Sequence, residues 1–141
     1  MSATRFEPPI SDAAQPFWEA TRSKLLELPY CTSCRAFFWY PRDVCPRCLS
    51  EEIEWRPASG HATVYTCSTM TKPAHPSLAD RVPYVVALVD LDEGPRMMTN
   101  IVGCEPDDVT IGMSVQVAWE ALPDGRHLPV FEPSPSPSKE A

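Results

Sequence analysis

The chain has 141 residues, 43% of them hydrophobic and 22% charged, which allows one ordinary domain or two very small ones and makes a folded globular protein the expectation. Seventeen prolines against five glycines argue against long helices and for short strands, turns and extended connectors. A formal net charge of −7 repels a phosphate backbone unless cations gather in a stripe. No N-terminal stretch joins a basic start, an apolar run and a small-residue cleavage site, and no run approaches the ~18 apolar residues of a membrane span. The expected compartment is therefore the cytoplasm, where paired cysteines serve as metal ligands rather than disulfides.

Residues 1–15 are polar and proline-bearing and are expected to be disordered. Residues 16–29 read as an N-terminal helix: Pro16 suits the first helical position, Phe17, Trp18, Thr21, Leu25 and Leu28 approximate an apolar stripe, and Pro29 ends it. Such a helix packs on a core; the alternative is a docking helix that exposes Phe17 and Trp18 to a partner.

Residues 30–58 hold the cysteine segment. Cys31-Thr32-Ser33-Cys34 and Cys45-Pro46-Arg47-Cys48 are two C-x2-C pairs with ten residues between them. Each pair is a knuckle that aims two thiolates at one point ~2.3 Å away, and two knuckles complete a tetrahedron around zinc. Four thiolates leave no coordination position for water, so the zinc is expected to be structural, with Cys31, Cys34, Cys45 and Cys48 as its ligands. With zinc bound, four thiolates and a divalent ion add −2, taking the charge from −7 to about −9. The ten-residue spacer Arg35–Val44 is long enough for a hairpin, with Phe37, Phe38, Trp39 and Tyr40 available beside the metal. An iron–sulfur cluster also takes four cysteines, and a redox C-x-x-C needs a thioredoxin-like setting; the hairpin-length spacer and the β-rich chain favour zinc over both.

Residues 59–132 read as five strands: His61–Met70, Tyr84–Leu91, Arg96–Val102, Ser114–Glu120 and Arg126–Phe131. Turn chemistry separates the later ones, at Asp92-Glu93-Gly94 and Pro123-Asp124-Gly125, and Pro106–Met113 reads as a turn or a single helical turn. Tyr84–Leu91 is almost continuously apolar, as inside a closed barrel or sandwich. A long connector, Thr71–Pro83, carries Lys72, His75 and Arg81. Cys67 and Cys104 lack ligand-spaced companions and are expected to be buried free thiols. Residues 133–141, with alternating proline and serine, are expected to be a disordered tail. The fold class expected is mainly β: an N-terminal helix, a rubredoxin-like zinc ribbon, then a five-stranded OB-fold barrel.

No self-sufficient catalytic site is evident. His61, His75 and His127 belong to no recognisable nucleophile–base spacing, and no nucleophile elbow or phosphate-binding glycine loop occurs. Asp90, Asp92 and Glu93 crowd a strand end and Asp107 and Asp108 a turn, where turn-forming and solubilising roles account for them. Of the three histidines, His75 in the connector is the best functional candidate. Trp39, Tyr40, Tyr65 and Trp119 could stack bases, but the cysteine segment nets to zero charge and Pro76–Thr110 carries seven acids against two bases. Nucleic-acid binding is therefore the weaker alternative.

The residues also carry a family likeness. The chain resembles the bacterial and archaeal zinc-ribbon/OB-fold family known as domain of unknown function 35, from about Phe17 to Glu120. The likeness rests on an ordered set: Phe17-Trp18-Glu19, both knuckles, Trp55 before Ser59-Gly60, Thr63-Val64-Tyr65, Val82–Val89, Glu93-Gly94-Pro95-Arg96, and Asp107-Asp108-Val109 with Ile111-Gly112-Met113. The resemblance implies a non-catalytic accessory subunit that binds a thiolase-like, aldolase or hydratase partner and helps form its acyl-CoA site. A coenzyme A moiety offers phosphates and an adenine, for which Lys72, Arg81 and Arg96 are the sparse nearby cations and Tyr65 the stacking candidate.

Overall fold

The computed structural model describes residues 6–135. A single turn of 3-10 helix at Asp12–Ala14 leads into the helix α1, Gln15–Thr21. The ribbon strands β1 (Glu27–Cys31), β2 (Ala36–Phe37) and β3 (Ile53–Pro57) form a small antiparallel sheet in the order β2-β1-β3. Five further strands follow: β4 (His61–Met70), β5 (Tyr84–Leu91), β6 (Arg96–Ile101), β7 (Ser114–Ala121) and β8 (His127–Pro133). They close into a barrel in the order β4-β5-β6-β8-β7, the connectivity of an OB fold.

The helix is much shorter than residues 16–29. After Thr21 the chain turns through Lys24 in the left-handed region (φ 59°), with Leu25 N–H bonded back to the Ala20 carbonyl at 3.1 Å. This is the helix-ending turn that glycine usually supplies, and a lysine in that place hides the signal. Beyond it the leucines change period. Leu26 and Leu28 are buried two residues apart, as in a strand, while Leu25 between them and the helix is 51% exposed. Order also begins earlier than residue 16, because Ser11 caps the 3-10 turn and Ala14 is fully buried. Residues 1–5 lie outside the described residues. At the other end Pro133 closes β8 and Ser134 N–H bonds the Ser114 carbonyl at 3.0 Å; the rest of the expected disordered tail, 136–141, lies outside the described residues.

One apolar core runs through all three units. Phe17 and Trp18 of α1, Leu26 and Leu28 of the ribbon side, and Val64, Val89, Met97 and Phe131 of the barrel belong to one buried cluster. Phe17 and Trp18 are 2% and 6% exposed, so they pack the helix against the barrel and form no free docking face. Phe17 also meets the ribbon residue Trp39 edge-on at 4.8 Å between ring centroids.

The β7–β8 turn clasps α1 from the other side. Arg22 donates to the Asp124 carbonyl at 2.8 Å, and His127 donates through Nδ1 to the Thr21 carbonyl at 2.9 Å. Arg126 lies over the Trp18 ring at 4.7 Å and pairs with Asp124 at 2.6 Å, its side chain only 3% exposed. Glycine is needed at Gly60, where the ribbon hands over to the barrel: its φ is 87°, and a Cβ there would stand 2.6 Å from Val117 Cγ1.

The barrel seam between β6 and β8 is thin, a single parallel pair, Ile101 with Phe131. The Phe131 carbonyl accepts Val102 N–H at 2.8 Å, and the ring is fully buried. A break in the β4–β5 register at Tyr65, between Val64 and Thr66, bends the long first strand around the barrel and turns that ring outward, 48% exposed. Along β5, buried and half-buried residues alternate, so its apolar run covers the core with one face and lies only partly covered on the other.

Truncating the seam residue should be costly. Phe131→Ala is expected to lose about 3–5 kcal/mol of stability, read as a fall in the urea midpoint without a change of slope. The clasp should show in acid. Against the upward push of desolvation, the backbone N–H and guanidinium of Arg126 hold the Asp124 carboxyl below its usual value of 3.8. Its contribution is therefore complete above that value and lost as pH falls through the lower folded one. Asp124→Asn should be less stable at neutral pH and lose less on acidification; identical acid slopes would exclude the pairing as a source of stability.

Candidate functional site

The first knuckle is the turn of the β1–β2 hairpin: Cys31 ends β1 opposite Ala36, and Cys34 lies in the connecting loop. The hairpin is thus formed around the knuckle rather than within Arg35–Val44 as the spacing predicted, because β1 pairs with Ala36 and Phe37 as soon as the chain has turned. The second knuckle sits in the loop before β3 and is tied down by Cys45 N–H to the Ser50 carbonyl (2.9 Å) and Leu49 N–H to the Cys45 carbonyl (2.9 Å). Each knuckle turns on a left-handed residue just after its second cysteine, Arg35 (φ 57°) and Leu49 (φ 63°). Nothing in those residue types announces that conformation.

All four sulfur atoms lie within 4.8 Å of one another. The Cys31–Cys48 and Cys34–Cys45 separations are both 3.6 Å, against about 3.8 Å between thiolates on a tetrahedral ion with 2.3 Å bonds. The donor set therefore fits a tetrahedral metal ion. Backbone amides prepare it: Cys34 N–H points at Cys31 Sγ (3.5 Å) and Arg47 N–H at Cys45 Sγ (3.4 Å). The backbone amides of Cys48 and Arg47 draw the Cys45 thiol down to about 6, whereas Cys34, sharing its proton with Cys45, is pushed up to about 12. Four sulfurs so close without a cation cannot all ionise; a divalent ion removes that conflict. Cys31 and Cys45 are buried, and with Phe38 they make the ribbon tip's small core, flanked by Ile53. Of the aromatic run, Phe38 is the one that joins this tip core, Phe37 and Trp39 pack on the main core, and Tyr40 is 44% exposed.

The other sequence-predicted site residues are scattered. Tyr65 and Arg96 are brought into contact, the guanidinium carbon 3.4 Å from the ring centroid. Asp90 fixes the arginine through two bonds, of 2.6 and 3.3 Å. Arg81 is held elsewhere, by a 2.7 Å ion pair with Glu120 of β7. Lys72 stands exposed just beyond β4. A second stack of the same design, invisible to sequence reading, occurs on the ribbon: Arg56 lies 3.7 Å from the Tyr30 centroid and pairs with Glu54 at 3.1 Å. Register creates it, since Tyr30 faces Glu54 across β1 and β3.

Several of the polar groups weighed as catalytic have structural partners, whereas His61, at the start of β4, has a buried Nδ1 without one among the described residues. His75 accepts Ser77 N–H at 3.1 Å and so caps the 3-10 helix Pro76–Arg81 in the connector. Glu93 accepts Ser59 N–H at 2.7 Å, and His127 is taken up by the helix clasp. Cys67 and Cys104 are half-buried rather than buried, because both sit where the core meets the surface.

Two family models cover most of the chain: the rubredoxin-like zinc ribbon domain of ChsH2 matches residues 18–54, and the C-terminal OB-fold domain of ChsH2 matches residues 55–120. The chain belongs to the ChsH2/DUF35 family. It is similar to a DUF35 domain-containing scaffold protein of Methanocaldococcus jannaschii, 36% identical over 65% of each chain. It is also similar to a probable enoyl-CoA hydratase alpha subunit of Thermomonospora curvata, 39% identical over 84% of this chain, and it spans only 37% of that relative's length. Among solved structures it matches the "Ltp2-ChsH2(DUF35) aldolase" with a TM-score of 0.81 and 37% identity, over 90% of this chain and 98% of that one. The ChsH2/DUF35 ribbon and barrel thus account for the mainly β fold and for the four-cysteine metal site. Among the described residues no helix is long and apolar enough to cross a membrane.

Removing one ligand should expose the ribbon's dependence on metal. Cys45→Ser is expected to lower bound metal from one ion per chain to a small fraction of that, read by elemental mass spectrometry. The ribbon amides of β1–β3 should then lose hydrogen-exchange protection. Full metal content with unchanged protection would exclude a structural metal.

Proposed function

We propose that the chain is a non-catalytic accessory subunit, with a structural zinc ion in its ribbon, that binds an acyl-CoA-processing enzyme and helps form that enzyme's acyl-CoA site. The observation that carries the reading is the likeness along nearly the whole of a chain solved as part of an Ltp2-ChsH2(DUF35) aldolase. An aldolase is accordingly the first partner to test, with a hydratase or a thiolase-like enzyme as the other classes. The chain's own chemistry agrees with a supporting role. His75, His127, Asp90 and Glu93 serve as caps, clasps and ties, and a four-sulfur metal site offers no open position for substrate.

Within that role the coenzyme A contacts would come from Tyr65, Lys72, Arg81 and Arg96. The Tyr65–Arg96 stack is the best formed of these, because Asp90 already fixes the guanidinium and holds it over the ring. It presents a flat cationic surface suited to an adenine ring or a phosphate. Arg81 would have to exchange its carboxylate partner for a phosphate.

Affinity purification of the tagged chain from its own cell should recover a near-stoichiometric aldolase, hydratase or thiolase-like subunit. Recovery of nucleic acid that survives moderate salt would replace this reading with a nucleic-acid role. With the partner in hand, Lys72→Ala/Arg96→Ala is expected to raise the complex's KM for acyl-CoA about tenfold while leaving subunit association intact. An unchanged KM would remove both residues from the site.

A further inference from the structure

The half-covered side of β5 has an ordered composition. Val85, Ala87 and Val89 point into the core, so Tyr84, Val86, Leu88 and Asp90 point outward. Register sets Arg96, Met98 and Asn100 of β6 beside Asp90, Leu88 and Val86. On the other side Thr66 and Ser68 of β4 flank Leu88 and Val86. The face is charged at one end, where Asp90 holds Arg96 over the Tyr65 ring. Its middle is apolar, with Met98 69% exposed, and the hydroxyls of Thr66 and Ser68 run along one edge.

At its other end the face runs into a cavity of about 260 Å³. Tyr84, Val86 and Met98 line it together with Leu128 of β8 and with Ala74 and Leu78 of the connector. Ala74 N–H donates to the Tyr84 hydroxyl at 3.1 Å and ties the connector to the start of β5. The volume lies below the ~300–1,000 Å³ of sites for drug-sized molecules. Such a space takes a slender chain and not a nucleotide.

The dimensions select the occupant. At ~3.3 Å per residue, Asp90 to Val86 spans about 13 Å and Asp90 to Tyr84 about 20 Å. The pantetheine arm of coenzyme A has roughly thirteen chain atoms from its ester oxygen to its sulfur, the length of about four residues of backbone, and so reaches about 15 Å. An arm that starts beside Arg96 therefore ends between Val86 and Tyr84, at the cavity. Its chemistry matches too. The methyl and methylene groups of the arm find Leu88, Met98 and Val86, and its amides find the exposed hydroxyls of Thr66 and Ser68.

We propose that this face is a track for acyl-CoA, with the nucleotide on the Tyr65–Arg96 stack, the pantetheine arm over Leu88, Met98 and Val86, and the thioester at the cavity beside the connector. The inference rests on the acyl-CoA reading above and adds the direction in which the ligand lies. The open end with the guanidinium takes the phosphates, and the narrow end takes the sulfur. Lys72 follows Met70, the residue paired with Tyr84, and so stands at the acyl end rather than beside the phosphates. The partner's reacting groups accordingly meet the chain at connector residues 71–83.

The test titrates the metal-loaded full chain, alone and in complex with any enzyme it co-purifies with, with coenzyme A, pantetheine and adenosine 3′,5′-bisphosphate. Affinities are read by calorimetry and contacts by NMR of labelled methionine methyls. Coenzyme A and pantetheine are expected to move the Met98 methyl saturably and that of the buried Met97 far less. Val86→Phe, which fills the cavity, should weaken both tenfold or more and spare the bisphosphate. Arg96→Ala should weaken the bisphosphate tenfold and spare pantetheine. Met98→Gln, at an exposed position, should lower coenzyme A affinity several-fold, and it keeps the test decisive if Val86→Phe does not fold. The track is overturned if coenzyme A leaves Met98 unmoved in both chain and complex, or binds Met98→Gln as tightly as the native chain. Its direction is overturned if Arg96→Ala weakens pantetheine and spares the bisphosphate. An acyl-CoA enzyme recovered with Met98 unmoved removes the track alone; Met98 moved with no such enzyme recovered removes the accessory role alone.

Discussion

Four sulfur atoms brought within 4.8 Å of one another are the constraint from which the ribbon follows. Beyond the strands that lean on the barrel, the ribbon tip has a core of one phenylalanine and two cysteines, far too little apolar burial to hold two loops in place. The loops are instead fixed by the backbone amides that bond the sulfurs and by the left-handed residues that turn each knuckle. A tetrahedral divalent ion turns this crowding of thiols from a repulsive arrangement into the ribbon's strongest crosslink.

The ribbon's other end needs no metal, because it is part of the barrel's own core. Leu26 and Leu28 bury themselves beside Phe17, Trp18 and the barrel residues, and Gly60 lets the chain pass within van der Waals distance of Val117 at the handover. The helix is then gripped by the β7–β8 turn through Arg22, Arg126 and His127. The three units share one interior. Their junction is lined by the aromatic side chains of Phe17, Trp18 and Trp39.

This arrangement agrees with the accessory role proposed above. Its charged groups are spent on geometry: Asp90 aligns Arg96 over Tyr65, Glu120 holds Arg81, Asp124 holds Arg126. The ChsH2/DUF35 relatives carry the names of scaffold proteins and of hydratase alpha subunits.

The sequence by itself determined which four cysteines come together, because two C-x2-C pairs at hairpin spacing are a local signal, and it determined the five barrel strands, because alternation and turn residues are local signals. His61–Met70 and Tyr84–Leu91 are strands over the limits their residues suggested. Only the tertiary structure decided where the helix ends, since Leu25-Leu26-Glu27-Leu28 fits either period until the core claims Leu26 and Leu28. It alone put Tyr65 against Arg96 and left Lys72 and Arg81 apart, because a register break in β4 and an ion pair across to β7 are long-range events. It alone joined Leu78, Val86, Met98 and Leu128 around one cavity: residues so distant in sequence become neighbours only when the chain closes on itself.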